Sequence, residues 1–359
     1  MEAKLDGIQF FILVTMNVLG AAIIFIPSLA ASYAKENSWI TISLTVIIGL
    51  AIILLYNHLI HISYDKGLYA TIDKITGKWF GKLILIIFML YTFMNIIGNL
   101  WAIGDFISIQ ILMGTPFEVI TFLIILTVLF AIRYGIEVIG RTAQLFFPFT
   151  ILCAILLTLL VMGQADWTNA KPIFRVHQEA TVAGILPIIS ITYLELFIML
   201  GITHMVHDKQ SAKKGMIYGG ITSGVLLLII TVMCIAVLGV NGTANSSYPV
   251  YALGQRINLY NFFQRVEIIV AFIWFFTIFF KICVSYYILV HALSYTLKIQ
   301  KYKVITIPLM FIIFFGSLHS TANSFTSNAY INGTNIITSL LVGLLIPILL
   351  LVIRLFRRS

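Results

Sequence analysis

Charge is scarce in this chain. Lys, Arg, Asp and Glu together make up 10% of 359 residues, against about 25% in an ordinary soluble protein. A soluble fold needs a polar outer layer, and this composition cannot supply one. Cytosolic enzymes, secreted scaffolds and disordered chains are excluded together. Cysteine is scarcer still. Cys153, Cys234 and Cys283 all fall inside long apolar runs, and an odd number of thiols so placed suits neither a disulfide framework nor a cysteine metal site. A Walker A loop, an HExxH helix and a nucleophile elbow are also missing. The sequence therefore recommends no enzyme, no metal and no cofactor. The apolar run from Ile8 is too long for a signal-peptide core and lacks a small-residue cleavage site, so no cleavable leader is expected.

What is present is apolar. Hydrophobic residues reach 60% and the mean hydropathy is +1.05. A membrane-spanning helix needs about 20 mostly apolar residues. Ten runs qualify, at roughly 7–34, 39–63, 82–113, 117–134, 139–163, 185–206, 215–240, 266–297, 303–319 and 335–355. A barrel would show short alternating segments instead. The expectation is an all-α integral membrane protein, one polytopic domain over 1–359.

Orientation follows from where Lys and Arg fall between the runs. With the N-terminus inside, the cytoplasmic side receives Lys4, Lys66, Lys74, Lys78, Lys82, Arg133, Arg141, Lys209, Lys213, Lys214, Lys298, Lys301, Lys303, Arg354, Arg357 and Arg358. The outer side receives only Lys35, Lys171, Arg175, Arg256 and Arg265. Both termini are therefore expected in the cytoplasm. The net charge of +9 is then topological, and nucleic acid is not an expected partner. Two outer connections are long. Residues 164–184 are polar, and 241–265 run from a polar turn into an amphipathic, aromatic-rich stretch suited to the interface. Asn241, Asn245 and Asn332 sit in Asn-x-Ser/Thr triplets, which arise by chance in small polar loops.

Function is expected where the apolar pattern breaks. In the first run, Asn17 to Ala22 (NVLGAA) lead to Pro27. Small residues before a proline permit either a mid-membrane unwinding, tolerated where backbone lines a cavity, or close helix packing. The sixth run has a matching irregularity, with Gly184, Pro187, Ser190 and Thr192 leading to Tyr193 and Glu195. Runs one and six are five helices apart, the interval of a 5+5 inverted repeat, and paired interruptions of this kind point to a transporter-like binding site. The eighth run carries Lys281 in its middle, with Ser285 one turn on. A mid-membrane cation costs about 2.5–3.5 kcal/mol, so Lys281 should face inward and pair with Glu195. Tyr91, Asn95 and Asn99 form a polar stripe on the third run, while Asp105 lies nearer its outer end. His58, His61, His204 and His207 sit near cytoplasmic helix ends, where interfacial placement is a better account than metal binding.

These breaks carry a resemblance. The chain resembles the B subunits of spore-germination nutrient receptors, the GerAB type, in the amino acid–polyamine–organocation superfamily. The similarity runs through LGAAIIFIP (19–27), SWI (38–40), TGKWFGK (76–82), LPIISITYLELFIML (186–200), YPVYALGQRINLYNFFQRVE (248–267) and WFFTIFFK (274–281). It implies a LeuT-like fold with broken helices one and six, a first repeat at about 7–163 and a second at about 185–355. The implied ligand-binding residues are Gly20, Ala21, Ala22, Tyr91, Asn95, Thr192, Glu195, Lys281 and Ser285. In sodium-coupled relatives of the fold a cation lies between spans one and eight, so the resemblance also suggests that Lys281 stands in for it. One departure from the family pattern is Tyr193-Leu194 just before Glu195, where a glycine is usual; its bulk is expected to shrink the pocket or change its specificity. The implied function is sensing of a small nutrient, such as an amino acid, together with A and C partner subunits in the spore inner membrane. A proton- or sodium-coupled amino-acid permease is the alternative, and an ion-conducting subunit is compatible with the receptor role.

Overall fold

The computed structural model describes residues 4–171, 178–256, 267–319 and 333–358. Among them no strand forms, only an isolated parallel bridge between Leu5 and Val206. Lipid offers no hydrogen bonds to a backbone, so each crossing must satisfy its own, and helices do so within one segment.

Among the described residues the helices trace ten spans. The first span is Gly7–Ala34, started by an Asp6–Gln9 capping box, and the tight turn Lys35–Asn37 leads directly into the second, Ser38–Ser63. The third is Lys78–Phe106, extended by a π-helical turn at Ile107–Ile111. The fourth, Phe117–Tyr134, and the fifth, Ile136–Met162, meet at Gly135, whose φ of 100° makes the turn in one residue. The sixth comprises Ile185–Ile191 and the 3-10 helix Leu194–Met205. The seventh, Lys209–Asn245, kinks at Gly239. The eighth is Glu267–Leu297 and the ninth the shorter Lys303–His319. The tenth runs from Asn335–Leu340 through a π-helical turn to Ile346–Arg358. These elements fall in eight stretches long and apolar enough to cross a membrane, with spans one and two continuous in one of them, plus the shorter Lys303–His319. The protein is a multi-pass membrane protein.

The sixth span is central, with 94% of its apolar window buried against 22% for the fifth. The first span packs along the seventh and the eighth. Gly215 and Gly219 permit the first of these approaches, since a Cβ at either would strike Phe10 or Val14. Spans one, six and eight thus form the middle of the bundle, with the third covering their side.

One expectation about the spans needs correction. The first span does not break: it is helical from Gly7 to Ala34, with Pro27 inside it. Proline removes one donor, and the turns on either side keep theirs. In the outer stretch after residue 241, Pro249–Gln255 forms a short helix, and 257–265, like Asn332 and 172–177, lies outside the described residues. An unforeseen amphipathic helix, Leu68–Thr76, joins spans two and three between Gly67 and Gly77, both at positive φ. It lies at the end of the bundle that collects most Lys and Arg, termed the basic end below.

Candidate functional site

The sixth span breaks where the sequence is irregular. Its first helix ends at Thr192, whose φ of −108° and ψ of −87° leave the helical region, and whose hydroxyl bonds back to the Ile188 carbonyl at 2.8 Å. The chain then winds into a twelve-residue 3-10 helix. Runs beyond three or four residues are uncommon in that form and often mark a functional segment. Glu195 is its second residue.

Lys281 meets Glu195 there, Nζ to Oε2 at 2.5 Å, with side-chain exposures of 1% and 6%. Removing both charges from water costs several kcal/mol each, so their attraction and further hydrogen bonds must offset it. Asn95 on the third span is within hydrogen-bonding reach of Glu195, and Asn99 Nδ2 holds it by donating to the Asn95 carbonyl at 2.7 Å and to Asn95 Oδ1 at 3.0 Å. Gly20 makes room for the lysine: a Cβ there would overlap the Lys281 stem. Its glycine serves a close approach between intact helices rather than an unwound backbone. Ser285, one turn from Lys281, is fully buried, and its hydroxyl has no hydrogen-bond partner among the described residues.

The structure thus brings together Gly20, Asn95, Glu195 and Lys281. Other expected residues are directed elsewhere. Ala22 is buried and Ala21 only half-buried on the first helix. The Tyr91 hydroxyl shares a 3.0 Å hydrogen bond with Ser339 on the tenth span, in a seam that continues through Asn335 to Ser190. Tyr193 does not crowd the pair. Its ring fills a slot formed by Gly49, Gly220 and Gly224 on spans two and seven, and its hydroxyl donates to the Gly220 carbonyl at 2.9 Å. Leu194 turns its carbonyl to the Tyr56 hydroxyl, 3.2 Å away.

The pair is closed off along the bundle axis by groups that sequence reasoning missed. On one side Trp274, two turns from Lys281, is fully buried against Phe106, Phe25 and Tyr248, with centroids at 4.5, 6.2 and 6.1 Å. Tyr248 donates to Asp105 Oδ2 at 2.5 Å, and burial, with that bond, pushes its phenol up so that it stays a neutral donor. Toward the basic end the Tyr69 hydroxyl donates to the Ile288 carbonyl at 3.0 Å, packed over Gly201. Aromatic residues pervade the whole chain, so composition gives these few no mark. The glycines at 215, 219, 220 and 224 are a legible signal, the spacing of small residues that lets membrane helices close up.

Comparison with known proteins places this arrangement. Residues 4–325 match the Spore_permease family, described as spore germination protein. Spore germination protein KB of Bacillus subtilis (strain 168) is 24% identical over 372 residues, covering 100% of this chain and 96% of that one. YfkT of the same organism, also described as a spore germination protein, is 28% identical over 273 residues, 75% and 74% of the two chains. Among solved structures, a Na+-coupled sialic acid symporter in a substrate-bound, outward-open state aligns with a TM-score of 0.66 at 11% identity, over 95% of this chain and 79% of its own. That likeness fixes the fold as LeuT-like. The chain belongs to the spore germination protein family.

Proposed function

We propose that this chain is the nutrient-sensing membrane subunit of a spore germination receptor. It binds a small, amino-acid-like germinant in the middle of the bundle and passes the event to A and C partner subunits in the spore inner membrane. The observation that supports this most is the Lys281–Glu195 pair, buried at the break of the sixth span. A zwitterion matches it charge for charge. The ligand carboxylate would take the lysine and its ammonium the glutamate, exchanging one internal pair for two external ones. Gly20, Asn95 and Ser285 would complete the lining, with Ala21, Ala22, Tyr91 and Thr192 in supporting positions. The unpaired Ser285 hydroxyl suits a ligand oxygen.

A coupled amino-acid permease is the second reading, favoured by the symporter-like fold. Against sodium coupling stands Lys281, whose stem packs on Gly20 of the first helix and whose ammonium, paired with Glu195, would compete with a cation between spans one and eight. Two assays on one pair of strains separate the readings. Spores lacking the chain should lose germination on at least one amino acid and regain it with the wild-type gene, with or without sodium. Membrane vesicles containing the chain should take up that radiolabelled amino acid no faster than empty vesicles under a proton or sodium gradient. Gradient-driven uptake together with normal germination of the deletion strain would establish the permease instead.

A further inference from the structure

A cavity of about 610 Å³ opens at the basic end, walled by the helix Leu68–Thr76, the start of the third span, the ends of the sixth and eighth, and the connection to the ninth. Small-molecule sites occupy about 300–1,000 Å³. It is separate from the Lys281–Glu195 pair. His291 in its wall lies ten residues along the helix from Lys281, about 15 Å at a rise of 1.5 Å per residue. The Tyr69–Ile288 contact over Gly201 lies between them.

Its charge is one-sided. Lys66, Lys82 and Lys298 line it, against a single carboxylate, Asp73. Asp73 already accepts the Tyr295 hydroxyl at 2.8 Å. Among the described residues no ion pair involves Lys66, Lys82 or Lys298, so no carboxylate neutralises these three ammoniums. Like charges gathered around one concavity repel unless an anion joins them. The wall also holds unmet hydrogen-bonding capacity. Ser294 is 8% exposed, and its hydroxyl has no partner among the described residues; neither has His291 Nε2. Buried polar groups in native proteins are normally satisfied, so such groups facing a cavity point to something that fills it.

We propose that this cavity binds a phosphate monoester, its phosphoryl oxygens accepting from Lys66, Lys82, Lys298 and the Ser294 hydroxyl. Three lysines against one aspartate leave an excess of two positive charges, and a phosphate monoester carries about −1.5 to −2 near neutral pH. Lysine binds phosphate as a point charge, and three of them suit three terminal oxygens. The same group is presented by a soluble metabolite or by the head of phosphatidic acid at the bilayer surface.

Two titrations of the full-length protein test this. One adds glycerol 3-phosphate to protein in a neutral detergent. The other compares nanodiscs of phosphatidylcholine with and without phosphatidic acid. Both read the melting temperature and the broadening of the phosphorus NMR line. At least one probe should bind, weakening as salt rises. The Lys82→Gln/Lys298→Gln double variant should lose at least about tenfold in affinity, as loss of charge-assisted bonds predicts, and Ser294→Ala should weaken binding several-fold. Lys214→Gln, an exposed lysine at the same end that does not line the cavity, should bind as well as wild type. Glycerol 3-phosphate binding assigns a soluble ligand; binding of phosphatidic acid alone assigns a lipid. Failure of both probes overturns the proposal. So does unchanged affinity in the lysine double variant, whose exposed side chains leave the ligand-free melting temperature as a check on folding.

Discussion

Lys281 and Glu195 are each other's partner at a position almost wholly shut off from solvent. Removing one partner strands the other, and breaking a buried pair in this way costs about 3–5 kcal/mol, whereas replacing both by neutral groups is often neutral. A structural pair and a binding pair therefore differ in how a double variant behaves. Lys281→Met and Glu195→Gln should each lower the melting temperature of the purified protein. Combined, they should restore most of it. Germination on the nutrient should stay lost in all three, because a zwitterion would find neither charge. A double variant that both folds and germinates normally would reduce the pair to a helix clasp. Gly20 belongs to the same unit, since the lysine stem lies where its side chain would be.

The sixth span sets this pair by breaking once and anchoring the break with a single ring. Tyr193 enters the slot of Gly49, Gly220 and Gly224 while Leu194 and Glu195 turn to the other sides. Tyr193→Ala would empty that slot, and loss of a buried aromatic costs about 3–5 kcal/mol. Tyr193→Phe keeps the ring and gives up one hydrogen bond, worth about 1 kcal/mol. The melting temperature should fall in that order, and the nutrient response should survive in the Phe variant only. An Ala variant as stable and responsive as wild type would show that the ring anchors nothing. Much of this element was legible beforehand. Glu195 and Lys281 stand out because a charge in an apolar run must find a partner, and Thr192 because small and polar residues precede it. The break expected in the first span was not legible, since a glycine serves close approach and unwinding equally well, and only the neighbouring Lys281 stem decides between them. The direction of Tyr193 was likewise hidden. Periodicity assigns a face only within a regular helix, and this residue lies just past the end of one. The Leu68–Thr76 helix escaped notice because nine residues between two glycines are too short for a spanning pattern.

At the scale of the whole molecule, the two ends of the bundle differ in kind. One end has a tightly packed aromatic cluster around Trp274 and few cations; the other has an open cavity and most of the Lys and Arg. Ten crossings with this distribution are expected to place both termini and the basic end in the cytoplasm, because short loops rich in Lys and Arg are retained on that side during insertion. Single-cysteine labelling from outside intact cells tests the placement. Cys234 and Cys283 are buried and only Cys153 is partly accessible, so a variant lacking Cys153 gives a quiet background. Asn245 is exposed at the aromatic end of the seventh span and Gln210 at its basic end. A membrane-impermeant maleimide should label Asn245→Cys in intact cells, and Gln210→Cys only after permeabilisation. The opposite pattern would invert the bundle. It would put the 610 Å³ cavity on the nutrient's side of the membrane and the aromatic cluster toward the cytoplasm. The germinant would then meet Lys66, Lys82 and Lys298 before it could reach Lys281.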